Sequence, residues 1–265
     1  MKYKMQKLYK YSYEYLLSIL PNCINEEDLK KYFEGDNKDF KTLLDVYDQF
    51  LLSAQNANRM PNVIKYEIRR NVIKEVLFNF NFCKILDAGV NEIYYKFRET
   101  FNVTSKDTQR NLWYKFSKSA IDSAKFLKNF KDVNNFKEFI EHFSYTPQTR
   151  LALPLLISAK VSGFGFALAC DCLKELGYLN YSKPDTHLTD IFFSLGLSDT
   201  QEISVFETVV EMAEACREID PQVTPYKIDK IMWLICSGHF YLDNVTIGSN
   251  KANFINSAKM LFKNE

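Results

Sequence analysis

Leu155-Leu156-Ile157-Ser158-Ala159-Lys160 leads into Val161-Ser162-Gly163-Phe164-Gly165, and a second apolar run follows from Phe166 to Leu176. The first six residues read as the end of one helix and the last run as another. Glycine adopts positive φ at no steric cost, so the intervening turn can reverse the chain within a few residues. It is expected to leave backbone amides uncovered at the start of the second helix. Those amides, helped by the helix dipole, suit an anion such as phosphate. Phe164, apolar and set between the glycines, is expected to hold the two helices together. A stretch of this kind belongs to a fold built from helices with short connections.

Working outward, helical periodicity recurs along the chain. Residues 40–54 place Leu43, Leu44, Tyr47, Phe50 and Leu51 on one face, and residues 63–78 do the same with Ile64, Ile68, Val72 and Val76. Further helices are expected near 107–130, 133–143, 165–176, 201–217, 225–237 and 250–262. Asp199 or Thr200 is placed to cap the helix near 201, and Thr224 the next, with Pro225 in its first turn. Only 8 Gly and 7 Pro punctuate the chain, and no long alternation of apolar and polar residues marks a sheet. The fold class is all-α. No internal repeat, low-complexity tract or linker is visible.

Hydrophobic residues make up 46% and charged residues 25%, as in ordinary globular proteins. A net charge of +1 decides nothing about a polyanionic partner. Arg110, Lys115, Lys118, Lys125, Lys128 and Lys131, with Asp122 the one acid among them, form a stripe that reads either as a solvated face or as a phosphate-tracking surface. The six cysteines contain no C-x-x-C pair, so neither zinc nor redox chemistry is indicated, and they read as small buried apolar residues in a reducing compartment. The first residues lack the pattern of a signal peptide. The run Leu151–Ala159 is far short of the roughly 20 residues that span a bilayer. The expectation is a soluble intracellular protein, cytoplasmic or nuclear, with no membrane partner.

The Gly-x-Gly turn fits plain architecture as well as phosphate binding. Asp185 beside Pro184 fits a helix cap, and His187 fits a structural histidine. Their combination is more specific. Gly163-Phe164-Gly165, followed after a helix by Pro184-Asp185-Thr186-His187-Leu188, resembles the helix-hairpin-helix and Gly/Pro-Asp motif of the DNA glycosylase superfamily that contains endonuclease III and the 8-oxoguanine DNA glycosylases. Leu51-Leu52-Ser53-Ala54-Gln55 is similar to the endonuclease III segment whose glutamine enters the DNA stack. The resemblance covers roughly residues 45 to 200.

The resemblance implies double-stranded DNA as partner, Asp185 as the catalytic carboxylate, and DNA contacts from Gly163, Phe164, Gly165, Ala167 and Gln55. It also implies a Na⁺, K⁺ or other cation held by the backbone carbonyls of Ala159, Val161 and Phe164. Two departures stand out. The superfamily's lyase lysine falls on Ala167, eighteen residues before Asp185, so no Schiff base can form there. This points to a monofunctional enzyme, unless Lys160 or Lys183 substitutes. Beyond Asp185 only Cys216 and Cys236 occur, too few for an iron–sulfur cluster.

Cleaving an N-glycosidic bond generates an oxocarbenium-like sugar, which a fixed carboxylate stabilises. At a helix start Asp185 is expected to stay ionised. The alternative is a DNA-binding module that keeps the hairpin and has lost the chemistry. The superfamily's architecture implies two helical domains with a DNA cleft between them: residues 40–175, and residues 1–39 joined with 176–265. A monomer is expected. Trp113 and Trp233 read as core. The run Thr224 to Trp233 reads as a packed helix start without a ligand, and the lesion recognised is not legible.

Overall fold

The computed structural model describes residues 1–35, 40–57 and 60–263. The chain divides into two compact units, Met1–Asn37 with Gly177–Glu265, and Lys38–Leu176. The boundary expected at residue 39 lies outside the described residues. The described residues are mostly helical, consistent with the all-α reading.

The chain opens one unit with α1 (Lys2–Ser18) and α2 (Glu26–Lys30). It then builds the second from α3 (Leu43–Gln55), α4 (Met60–Ile64), α5 (Tyr66–Val76), a 3₁₀ turn at Phe78–Phe80, α6 (Phe82–Thr100), α7 (Leu112–Leu127), α8 (Val133–Phe143), α9 (Pro147–Lys160) and α10 (Phe166–Glu175). It returns to the first with α11 (Thr186–Ser194), α12 (Glu202–Cys216), α13 (Pro225–Ser237) and α14 (Lys251–Phe262). Between α13 and α14 lies a ribbon of β1 (His239–Phe240) and β2 (Val245–Thr246), antiparallel, pairing His239 with Thr246.

The first unit's core gathers Leu8 and Leu16 of α1, Ile191 and Phe192 of α11, Val205 and Val209 of α12, and Ile231 and Ile235 of α13. Fully burying each such side chain contributes roughly 1.5–3 kcal/mol. The second unit is centred on α3 and α7, where Phe50, Phe116, Ala120 and Leu127 are fully buried. Tyr47 of α3 donates its hydroxyl to the Ala120 carbonyl of α7 at 3.0 Å, tying the two together.

Caps set several helix starts. Thr224 accepts the Lys227 N–H and Pro225 occupies the first turn of α13, as its sequence predicts. At α12 the capping expectation fails. Gln201 is the N-cap and makes no side-chain bond, while Asp199 accepts the Gln201 N–H one step earlier. The helix expected over 107–130 begins only at Leu112, because Asn111 caps it through the Trp113 N–H.

The continuous helix expected over 63–78 is broken. Lys65 takes a left-handed conformation (φ 52°) between α4 and α5, which resets the helical phase. Tyr66, Ile73 and Leu77 become the buried face, and Ile68, expected in the core, is 85% exposed with Val72 also at the surface. Leu44 of α3 likewise faces solvent, Val46 being buried instead.

Candidate functional site

The turn between α9 and α10 is built within the second unit. Thr146 starts α9 with a capping box to Thr149 and Pro147 in the first turn. Val161 is extended (φ −116°, ψ 110°) and ends it. Gly163 sits at φ +85°, and a Cβ there would lie 2.8 Å from Ser119 Oγ, so both backbone and space require glycine. Phe164 is buried and stacks on Phe50 of α3, with ring centroids 5.7 Å apart. Gly165 is the N-cap of α10 and has no side chain to offer its first turn.

The amides of this turn alternate in their use. Ser162 N–H donates to Asp122 Oδ2 at 3.1 Å and Phe164 N–H to the Val161 carbonyl at 3.2 Å. Gly163 and Gly165, both exposed, have N–H groups that donate to nothing among the described residues. Helix α7 backs the turn: Ser119 Oγ donates to the Ser162 carbonyl at 2.6 Å. Lys115, Lys118 and Lys125, spaced for one face of α7, are exposed, and Lys118 pairs with Asp122 at 3.1 Å. Of the carbonyls expected to hold a cation, that of Val161 accepts the Phe164 N–H. The Val161 oxygen keeps one lone pair after accepting Phe164 N–H. Among the described residues no group of three or more His, Cys, Asp or Glu side chains could hold a metal ion.

Asp185 belongs to the first unit. It is the N-cap of α11, and its Oδ1 accepts N–H bonds from His187 at 2.8 Å and Leu188 at 3.2 Å. Both of its side-chain hydrogen bonds among the described residues fall on Oδ1, none on Oδ2. Burial, then the neighbouring Asp229 carboxylate, raises the Asp185 pKa above the usual carboxylate value. His187 and the two amides pull the other way and do not win. Desolvation thus outweighs the amides of the helix start in setting the direction of the shift.

Asp229 was not expected here. It lies on α13 at 2% exposure and accepts the Lys183 N–H at 2.9 Å, two residues before Asp185. Its signal in the sequence is a lone acid inside the apolar stripe of Ile228, Ile231 and Met232. Two buried polar atoms near Asp185, Ser182 Oγ and His187 Nδ1, find no hydrogen-bond partner among the described residues. Groups of this kind are few in folded proteins, and two lie within three residues of one carboxylate. His187 is therefore not the satisfied structural histidine that its sequence suggests.

Gln55 is placed differently from its expected role. It is 6% exposed, and its Oε1 accepts the Tyr66 N–H at 2.8 Å, capping α5. The break at Lys65 creates that unmet amide, and Gln55 is drawn inward to fill it. Ala167 lies half-buried in the first turn of α10. Lys160 is exposed at the last turn of α9, and Lys183 is half-buried ahead of Asp185. Trp113 is core, whereas Trp233 is half-buried, beside Lys230 and Tyr241.

Cys23 and Cys83 are exposed, contrary to a uniformly buried set. Burial pushes the Cys216 and Cys236 thiols up to about 12, which leaves them protonated and inert. Among the described residues, no helix is long and apolar enough to cross a membrane. The chain matches no protein-family model, no curated protein and no solved structure.

Proposed function

We propose that this chain is a DNA N-glycosylase of base-excision repair, with Asp185 as its catalytic carboxylate and no lyase activity. The observation that carries this reading is the division of labour within one carboxylate. Oδ1 is pinned by two backbone amides, while Oδ2 accepts no hydrogen bond among the described residues. A carboxylate oriented in this way, and destabilised as an anion by burial and Asp229, stabilises a developing oxocarbenium and draws a proton from an attacking water. The unused Gly163 and Gly165 amides, backed by the basic face of α7, would grip the phosphates of a double-stranded DNA partner as a helix-hairpin-helix does. A Na⁺ or K⁺ on the neighbouring carbonyls would bridge to phosphate. The target nucleotide must be flipped out of the duplex, at a cost of a few kcal/mol. With a methyl group at Ala167, hydrolysis ends at an abasic site.

The test is a panel of duplexes, each carrying one defined lesion or mispair, incubated with wild type and Asp185→Asn. Alkali reveals abasic sites, and strand nicking without alkali is scored separately. Base release by wild type that disappears in Asp185→Asn, with duplex binding kept, supports the reading. The second reading, a DNA-binding module without chemistry, draws on the inward placement of Gln55 and becomes the better one if no lesion is released while both proteins bind duplex.

A further inference from the structure

Beside the α9–α10 turn, within the second unit, lies a cavity of about 420 Å³, of whose lining the glycosylase reading uses only Lys125 and the Ala159 carbonyl. Its floor is aromatic and aliphatic: Phe126 of α7, Phe130 just after it, Phe139 of α8 and Leu156 of α9. Its rim carries Lys125 of α7 and Lys160 of α9. The volume falls in the range, roughly 300–1,000 Å³, of small-ligand sites.

Three observations give the cavity a chemistry. Phe130 and Phe139 are only half-buried, and their rings meet edge-on with centroids 5.0 Å apart and planes at 63°. Both rings line the cavity and keep part of their surface open to solvent. Neither Lys125 nor Lys160 forms an ion pair among the described residues, although both are exposed. The one carboxylate in the lining, Asp122, is already held by Lys118 and by the Ser162 N–H. The lining therefore combines aromatic rings with two lysines that form no ion pair among the described residues, the complement of a flat ring that carries an anion.

The cavity is also joined to the turn. Asp122 lines the cavity and accepts the Ser162 N–H, and Lys160 lies three residues before Gly163. Phe126 of the floor stacks on Phe50 at 6.0 Å, and Phe50 stacks on Phe164 of the turn.

We propose that this cavity is a second DNA subsite, which takes one unstacked base of a single strand on Phe130 and Phe139, with the adjoining phosphate on Lys125 and Lys160. The inference rests on the DNA reading given above but does not depend on catalysis. Stacking of a base on an aromatic side chain tolerates any base, so the subsite would bind single strands without reading sequence.

The experiment uses the full chain and a fluorescein-labelled dT oligonucleotide of about 10 nucleotides, followed by anisotropy at several salt concentrations. A second oligonucleotide carrying 5-iododeoxyuridine is photocrosslinked and the adduct mapped by mass spectrometry. The Lys125→Glu/Lys160→Glu double variant alters only exposed groups. Phe139→Leu thins the floor without a polar intrusion, and thermal unfolding reports folding for both. The expected result is at least about ten-fold weaker oligonucleotide binding in the charge variant, a shallower salt dependence, and a crosslink on Phe126, Phe130 or Phe139. Unchanged binding in both folded variants, or a crosslink mapped elsewhere, overturns the proposal. So does displacement of the oligonucleotide by an acidic phenylalanine-containing peptide as readily as by thymidine monophosphate. Lesion release is measured on the same proteins. A crosslink in this cavity without release at any lesion leaves the subsite standing and removes the glycosylase. Release without the crosslink does the reverse.

Discussion

The α9–α10 turn and the start of α11 solve the same local problem with opposite surpluses. Both are places where a chain enters a helix with amides to satisfy. In the turn, side chain and backbone acceptors take the Ser162 and Phe164 amides, and the two glycine amides are left over. At α11, Asp185 brings its own anion, fills the His187 and Leu188 amides with one oxygen, and has the other left over. One site has spare donors and suits an anion. The other has a spare acceptor and suits positive charge or a proton. Residue choice decides which: glycine contributes amides and nothing else, whereas aspartate contributes more acceptors than the helix consumes.

The strongest way to break this contrast is to cancel the surplus acceptor. Asp185→Asn keeps an N-cap of equal quality, yet it should lower base release at least about a hundred-fold in single-turnover assays. The same variant has a signed pH signature. Because the folded state raises the Asp185 pKa, ionising it costs stability as pH rises from the unfolded carboxylate value through the folded one. The melting temperature of Asp185→Asn should therefore exceed that of wild type at neutral pH and converge with it at acidic pH. A variant less stable at neutral pH would mean that the anion is favoured here after all.

Next in size is Gly163→Ala. Positive φ and the Ser119 Oγ contact should together cost about 1–3 kcal/mol in denaturant unfolding and loosen duplex binding. Gln55→Ala removes the acceptor for the buried Tyr66 amide and should cost about 1–2 kcal/mol. If it instead abolishes base release with stability unchanged, Gln55 works on DNA and not as a cap. The smallest and sharpest test removes one spare donor. Gly165 has φ −80°, within proline's range, and an added Cβ there meets nothing within 4 Å, so Gly165→Pro removes the N–H. It should weaken duplex binding several-fold to about ten-fold, while Gly165→Ala binds as wild type. Equal binding by both would show that the spare amide is not used.

The contrast also marks what could be read from the residues alone. Gly163, Phe164 and Gly165 declare their turn because positive φ and apolar bridging are properties of single residues. Helices α3, α8, α10, α13 and α14 declare themselves through spacing and caps. The break at Lys65 does not, since nothing in that side chain favours a left-handed turn, and the apolar stripe of Ile64, Ile68, Val72 and Val76 runs unbroken across it. Helix α1 hides for another reason: its buried face includes Tyr9 and Ser12 amid Lys and Tyr, so the 3.6-residue rhythm carries little hydrophobic contrast. Helix α6 is interrupted at Gly89, where φ is 71°. Gln55 and Asp229 show the limit most clearly. Each is defined by an amide that exists only once a distant segment has folded, Tyr66 for one and Lys183 for the other.

The first unit takes its helices from both sides of the second, and this has a consequence for synthesis. Lys2 meets Glu218 and Tyr9 meets Asp220 across separations of 216 and 211 residues. Helices emerge from a ribosome in order, so the contiguous unit from Lys38 to Leu176 can finish while α1 still waits for α12 and α13. At roughly 5–20 residues per second that wait lasts on the order of ten seconds or more. Through it, Met5, Leu8 and Leu16 lack the side chains of α12 and α13 that bury them in the finished unit.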